Sequence, residues 1–383
     1  MSLSADLVLP ANNAAELAEV LSWDGVRPAT FAASEFPVDV VRLAGSSSPP
    51  VAISRCRRAE SLKALPASLR DRAQAAFERS ARAHPSLPLA HGRSIDLSRG
   101  PAVVAVVNVT PDSFSDGGLY FDAGRAVDRA LALFEAGAEI VDVGGESTRP
   151  SNYGQAEVVP AEEEIRRVEP VIAALRRQTS RPISIDTRKA AVARAALEAG
   201  ADLVNDVSSL RYDAEMPAAV AQAGAAAILM HMRGTDPRTM QQDTRYGHLI
   251  GEVAAELAAV AEHAAAAGIP PDRIVIDPGL GFGKGPEGNL VLLRHLAAFR
   301  SLGLPVAVGA SRKGFVRRYS GVDESSSAAD RLPGSLACLA AAAQAGASLV
   351  RVHDAAESVR FLRMLAAIHT PTPVGRPAAA PAR

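Results

Sequence analysis

Eight short apolar runs, each followed by a helical pattern, set the strongest limit on how this chain folds. Four times, the end of one unit and the start of the next are spelled alike. The chain reads Glu135-Ala-Gly-Ala-Glu-Ile-Val-Asp142 and then Glu198-Ala-Gly-Ala-Asp-Leu-Val-Asn205. It returns as Gln222-Ala-Gly-Ala-Ala-Ala-Ile-Leu-Met-His231 and as Gln344-Ala-Gly-Ala-Ser-Leu-Val-Arg351-Val-His353. In each copy a helix ends on a glycine, the residue that turns left-handed past a helix terminus at least cost. A buried strand then begins.

The strands are legible by composition. Val103-Val104-Ala105-Val106-Val107 is too short for a helix and rich in β-branched side chains, as expected of a strand covered on both faces. Val127, Ala130, Leu131 and Phe134 then fall on one helical face. Continued along the chain, this reading places strands near residues 103–108, 139–143, 183–186, 203–206, 227–231, 274–277, 305–309 and 348–352. Eight strand–helix units of this kind predict an α/β fold, the (β/α)8 TIM barrel. A doubly wound open sheet has the same alternation, but the count of eight favours closure.

Three segments follow: a small N-terminal α/β extension over 1–97, the barrel over 98–369, and a Pro- and Ala-rich tail over 370–383 that is expected to be disordered. In the extension, Val38 to Leu43 reads as a strand and about Ser68 to Ala83 as a helix. With 41 basic and 42 acidic residues, the chain has no charge excess to suggest a nucleic-acid or membrane-surface partner. Two cysteines, Cys56 and Cys338, build neither a disulfide framework nor a four-ligand zinc site. The first 30 residues lack a basic start followed by an apolar run, and no run is long enough to span a bilayer. A cytoplasmic protein is expected.

In such a barrel the chemistry gathers at the C-terminal ends of the strands. Those ends carry Asn108, Asp142, Asp186, Asn205, His231, Asp277, Ser311 to Lys313, Arg351 and His353. Any one of them alone is more economically read as a cap or a satisfied core polar group; polar residues at every end of one rim are not. Asp186, Asn205 and Asp277 suit the paired donors of a flat amino-pyrimidinone heterocycle. Arg149, Arg312, Lys313, Arg351 and His353 suit an anion, and barrel phosphate sites commonly lie on the loops after strands seven and eight. Two turn-rich loops, Asn108 to Gly118 and Gly144 to Gly154, either of which alone reads equally as a plain surface loop, together suggest lids over the rim.

The run Asn-Val-Thr-Pro-Asp-Ser-Phe-Ser-Asp-Gly-Gly from Asn108 resembles the first signature of the dihydropteroate synthases, and Gly144 to Pro150 resembles the second. Ile185-Asp186-Thr187, Asn205-Asp206-Val207, Leu229-Met-His-Met232, Asp277 to Lys284, Ser311-Arg-Lys313 and Arg351-Val-His-Asp354 are similar to later family motifs, in order, across about residues 98–368. The resemblance implies condensation of a 6-hydroxymethyl-7,8-dihydropterin diphosphate with 4-aminobenzoate. It implies that Asp186, Asn205 and Asp277 hold the pterin, with Met230 and Phe282 in the pocket wall and Lys313 lining both substrate sites. Asn108, Arg351 and His353 correspond to the diphosphate set, with Asn108 also beside Mg²⁺. Thr148 and Arg149 resemble residues next to the incoming amine, and Asp112 the first-loop acid of the closed state. A homodimer is implied by the family alone.

One position departs from the pattern: Gly314 stands where many members have Ser or Arg, so contacts to the aminobenzoate carboxylate and to sulfonamides are expected to be weaker or different. Other motifs fail. Gly283-Lys-Gly-Pro-Glu-Gly288 matches a dinucleotide fingerprint but has Val308 where a ribose-binding acid is needed, and Gly285 after Lys284 excludes a Walker A loop. His231 either lines the pocket or serves the strand end structurally. A pterin-dependent methyltransferase barrel would share the acid set but has no need of the anion set. A non-catalytic paralogue would have lost loop or anion residues, and none is missing.

Overall fold

The computed structural model describes residues 7–10, 38–44, 51–54, 75–76, 78–110, 123–146, 158–234, 236, 239–247, 249–323, 325 and 327–369. Three strands, β1 (Leu7–Pro10), β2 (Val38–Ala44) and β3 (Val51–Ser54), form a small N-terminal sheet in which β2 pairs parallel with β1 and antiparallel with β3. β2 coincides with the strand expected there. Of the helix expected over 68–83, residues 75–76 and 78–81 are helical among those described. The tail expected to be disordered lies outside the described residues.

A hairpin, β4 (Ser86–Pro88) and β5 (Ser94–Asp96), leads into the barrel. The barrel strands are β6 (Ala102–Asn108), β7 (Ile140–Gly144), β8 (Ile183–Asp186), β9 (Leu203–Asp206), β10 (Ala226–Met230), β11 (Ile274–Asp277), β12 (Ala307–Val308) and β13 (Leu349–Val352). All eight run parallel in sequence order, with β13 beside β6, and the Ile276–Val306 bridge closes β11 onto β12. The open-sheet alternative is thereby excluded. β12 is shorter than the run read from sequence because Pro305, which has no N–H to give, precedes it and Gly309 follows.

Between the strands lie α1 (Ala123–Glu135), α2 (Ala161–Gln178), α3 (Ala190–Glu198), α4 (Met216–Gln222), α5 (Leu249–Ala266), α6 (Pro286–Arg294), α7 (Gly314–Tyr319) and α8 (Leu332–Gln344), with α9 (Ala355–His369) after β13. α1 buries Val127, Ala130 and Phe134 as the spacing predicts, but Leu133 takes the fully buried place while Leu131 is half-buried. The four repeat glycines, Gly137, Gly200, Gly224 and Gly346, all have positive φ, so the repeated sequence is a repeated helix stop. Among the described residues, no helix is long and apolar enough to cross a membrane.

The period of two along each strand divides the core. Val103, Ala105 and Val107 of β6 face outward into the main apolar cluster beneath the helices, whereas Ala102 and Val104 face into the barrel. There they meet Ile140, Leu203, Ile228, Val275 and Leu349, and the hairpin contributes Leu87, Leu89, Ile95 and Leu97 to the same cluster. The hairpin thus plugs the N-terminal end of the barrel. Polar residues are left to the other end, where strand pairing sets Asn108 beside Gly144, Gly144 beside Asp186, Asp186 beside Asn205, and Met230 beside Asp277.

Candidate active site

Acids and cations meet at this rim, and the last strand carries the link. Arg351 on β13 donates through Nε to Asp142 Oδ2 and through Nη2 to Asp186 Oδ2, each at 2.6 Å. Asn205 Nδ2 donates to the same Asp142 oxygen at 3.1 Å. Asp142 is fully buried, with its other carboxylate oxygen unpartnered. Burial pushes the Asp186 carboxyl above the usual carboxylate range; Arg351 opposes the rise and the nearby Asp142 charge adds to it. Burial would lower Arg351, yet the Asp142 and Asp186 carboxylates outweigh it and hold the guanidinium above its ordinary range. Asp142 was legible as a rim acid, but its place at the centre of the network was not.

The opposite wall is built from the β11–α6 loop. Asp277 is buried and accepts the Gly279 N–H at 2.7 Å. Burial raises its carboxyl, and Lys313 opposes that rise. Lys313 donates to the Leu280 carbonyl, and its Nζ lies 4.8 Å from the centre of the Phe282 ring. Burial brings the Lys313 ammonium down to about 8, with Asp277 pulling the other way. Met230 is buried with Val207, Met232 and Met240, and Phe282 packs against this group. The acid set and Arg351 act on one another across the same mouth, since Arg351 lowers Asp277 and Asp277 raises Arg351.

His353 and Ser311 join the loops after β12 and β13: the His353 N–H donates to Ser311 Oγ, and His353 Nδ1 lies 3.2 Å from that oxygen. Arg312, read from the sequence as part of the anion set, is paired with Asp354. Its Nε donates to Asp354 Oδ2 at 2.9 Å and its Nη2 to the other carboxylate oxygen, a forked pair that occupies the guanidinium. Its backbone is left-handed, at φ 60°, held by Ser335 Oγ accepting the Arg312 N–H and by Arg331 donating to its carbonyl. Asn108 stands half-buried at the end of β6. Asp112, Thr148 and Arg149, with most of both expected lids, lie outside the described residues.

At the foot of the second loop, Lys189 Nζ bonds Glu146 and, at 2.5 Å, Glu164 Oε2, and Arg188 Nη2 lies 3.3 Å from Glu146 Oε1. Asp206 is fully buried and accepts from Ser208 N–H and Oγ at 2.7 Å and from Leu210 N–H at 2.9 Å. It therefore shapes the β9–α4 turn rather than the pocket. Among the described residues, no group of three or more His, Cys, Asp or Glu is arranged to hold a metal ion by itself.

Residues 104–353 match the family model described as pterin binding enzyme. The dihydropteroate synthase of a Synechocystis species is 44% identical over 268 residues, which are 70% of this chain and 90% of that one. A Xanthomonas albilineans dihydropteroate synthase solved with 4-aminobenzoic acid superposes with a TM-score of 0.68 at 43% identity, covering 75% of this chain and 99% of that one. The same enzyme solved with 7,8-dihydropteroate gives a TM-score of 0.66 at 41% identity, covering 75% of this chain and 100% of that one. The ordered motifs, the closed barrel and these likenesses agree: the chain belongs to the pterin binding enzymes, in the dihydropteroate synthase family.

Proposed function

We infer that this chain joins 6-hydroxymethyl-7,8-dihydropterin diphosphate to 4-aminobenzoate, releasing diphosphate and forming 7,8-dihydropteroate for folate synthesis. The observation that carries the reading is the bond from Arg351 to Asp186 on the rim that also holds Asn205 and Asp277. A guanidinium presents paired N–H donors to a carboxylate, as an amino-pyrimidinone ring does. Through Arg351, Asp186 is bonded to the same kind of paired donor that the pterin would supply.

Each residue then has work that its chemistry explains. Asp186, Asn205 and Asp277 take the donor and acceptor edges of the pterin, with Met230 and Phe282 against its faces. As the methylene–oxygen bond breaks, negative charge grows on the diphosphate and positive charge spreads into the ring. Arg351 and His353 stabilise the former, at about 1.5–3 kcal/mol for each charge-assisted hydrogen bond. The buried acids stabilise the latter. The arylamine attacks the methylene carbon and loses a proton, so no protein nucleophile is required. Thr148, Arg149 and Asp112 would act from the two loops, on the incoming amine and in the closed state.

Mg²⁺ fits the donor chemistry, because it prefers oxygen ligands and is commonly bound by few protein groups plus substrate phosphates. Asn108 would supply an amide oxygen and the diphosphate most of the rest. Bound there, the ion would screen the charge of the leaving group. A homodimer in the cytoplasm completes the proposal.

The test uses purified protein with the pterin diphosphate, labelled 4-aminobenzoate and Mg²⁺, beside Arg351→Ala. Labelled dihydropteroate from the wild type and a loss of at least about 100-fold in the variant are expected. No product from the wild type overturns the reading.

A further inference from the structure

Lys284 closes the segment that begins at Asp277, and its side chain folds back under that segment instead of reaching solvent. It is 3% exposed, and Nζ has three partners: the His231 carbonyl at 2.9 Å, the Gly279 carbonyl at 2.9 Å and His231 Nδ1 at 2.7 Å. Three N–H donors meet three acceptors. Among the described residues no carboxylate bonds the amine.

The Gly279 peptide is held at both ends. Its N–H donates to Asp277 Oδ1 at 2.7 Å while its carbonyl accepts from Lys284. Its φ is +68°, and a Cβ placed there would lie 1.9 Å from the His231 carbonyl oxygen, so the strand end and the loop are in direct backbone contact. The His231 N–H in turn donates to the Asp277 carbonyl at 2.8 Å. Beyond this, His231 Nε2 lies 3.2 Å from Glu256 Oε2 on α5. A hydrogen-bonded path therefore runs from His231 through Lys284 and Gly279 to the Asp277 carboxylate, with the half-exposed Glu256 beside His231 Nε2.

We propose that Lys284 is a positioning residue for pterin recognition, fixing the Gly279 peptide that orients the Asp277 carboxylate. The inference rests on the reading of Asp277 as a pterin ligand and adds the lysine beneath it. It does not depend on the charge of the amine. An ammonium donates all three protons; a neutral amine donates two to the carbonyls and accepts one from Nδ1–H. Both carbonyl contacts are kept in either state; only the ammonium, donating to Nδ1, leaves the Nε2 proton facing Glu256. Burial lowers Lys284 well below the ordinary lysine range and brings His231 down to about 4, so the pair is not a double cation.

The experiment compares full-length wild type with Lys284→Met, which keeps the apolar stem and removes the donors. The KM for the pterin diphosphate and the calorimetric Kd for 6-hydroxymethylpterin are both expected to rise about tenfold, the size of one charge-assisted hydrogen bond. The KM for 4-aminobenzoate should move by less than about twofold. A purely structural role would lower the folded fraction, and kcat with it, leaving both KM values in place. If Lys284→Met does not fold, Lys284→Gln, polar but too short to reach both carbonyls, is read in the same way. A folded variant that binds the pterin like wild type, or that loses both substrates equally, refutes the role. Absence of turnover in the wild type would sink the enzymatic reading instead, while the calorimetric arm still reports on Lys284.

Discussion

Replacing Arg351 with methionine isolates what its guanidinium does for the rim. The substitution removes two hydrogen bonds of 2.6 Å, one to fully buried Asp142 and one to Asp186, whose side chain is 12% exposed. Taking away one partner of a buried ion pair costs about 3–5 kcal/mol, because the remaining charge is left unpaired. Arg351 itself is 29% exposed, so about 3 kcal/mol at pH 8 is the expected loss. That loss should depend on pH. Without Arg351, burial and the neighbouring Asp142 charge raise the Asp186 carboxyl unopposed, so the folded state binds more protons than the unfolded chain above the ordinary carboxyl range. Stability of the variant relative to wild type then falls as pH rises, by about 1.4 kcal/mol per unit per proton. By pH 5 the deficit should shrink to less than about 1 kcal/mol. Urea unfolding followed by circular dichroism suits the measurement, since the single tryptophan, Trp23, precedes the barrel strands in the sequence. Equal deficits at pH 5 and pH 8 would mean that Arg351 acts through packing, and no deficit at pH 8 would mean that the acids were not charged beside it.

Three further outcomes are expected. Lys313, brought down to about 8 by burial, loses its charge as pH rises through that value, so kcat/KM should fall on a basic limb near pH 8; Lys313→Arg should abolish the limb, and a flat wild-type profile to pH 9 would refute it. Gly279→Ala forces a Cβ to within 1.9 Å of the His231 carbonyl, so a stability loss of more than about 2 kcal/mol in urea unfolding is expected, with loss of pterin binding. Nothing lies within 4 Å of the Cβ position at Gly314, so Gly314→Ser should leave stability within about 0.5 kcal/mol of wild type. The same variant should lower the KM for 4-aminobenzoate and tighten sulfonamide inhibition; unchanged values would argue against a role for a hydroxyl there.

The amino-acid sequence alone determined the units of this protein and their order. Strand and helix periods are local properties, readable within a dozen residues, so the eight strands fell close to their observed places and Asp186, Asn205 and Asp277 were found at the ends of theirs. Partners were another matter. Closure brings Arg351 onto Asp142 and Asp186 across 209 and 165 residues of chain, and no local pattern says which acid a distant arginine will meet. The same limit explains why the pairing of Arg312 with Asp354 was not legible, and why Lys284 went unassigned although its motif was in view. It also hid the plug: Leu87, Leu89, Ile95 and Leu97 lie outside the repeating units, yet they fill the barrel floor. A closed sheet converts sequence distance into contact, and only that conversion decides which polar group completes another.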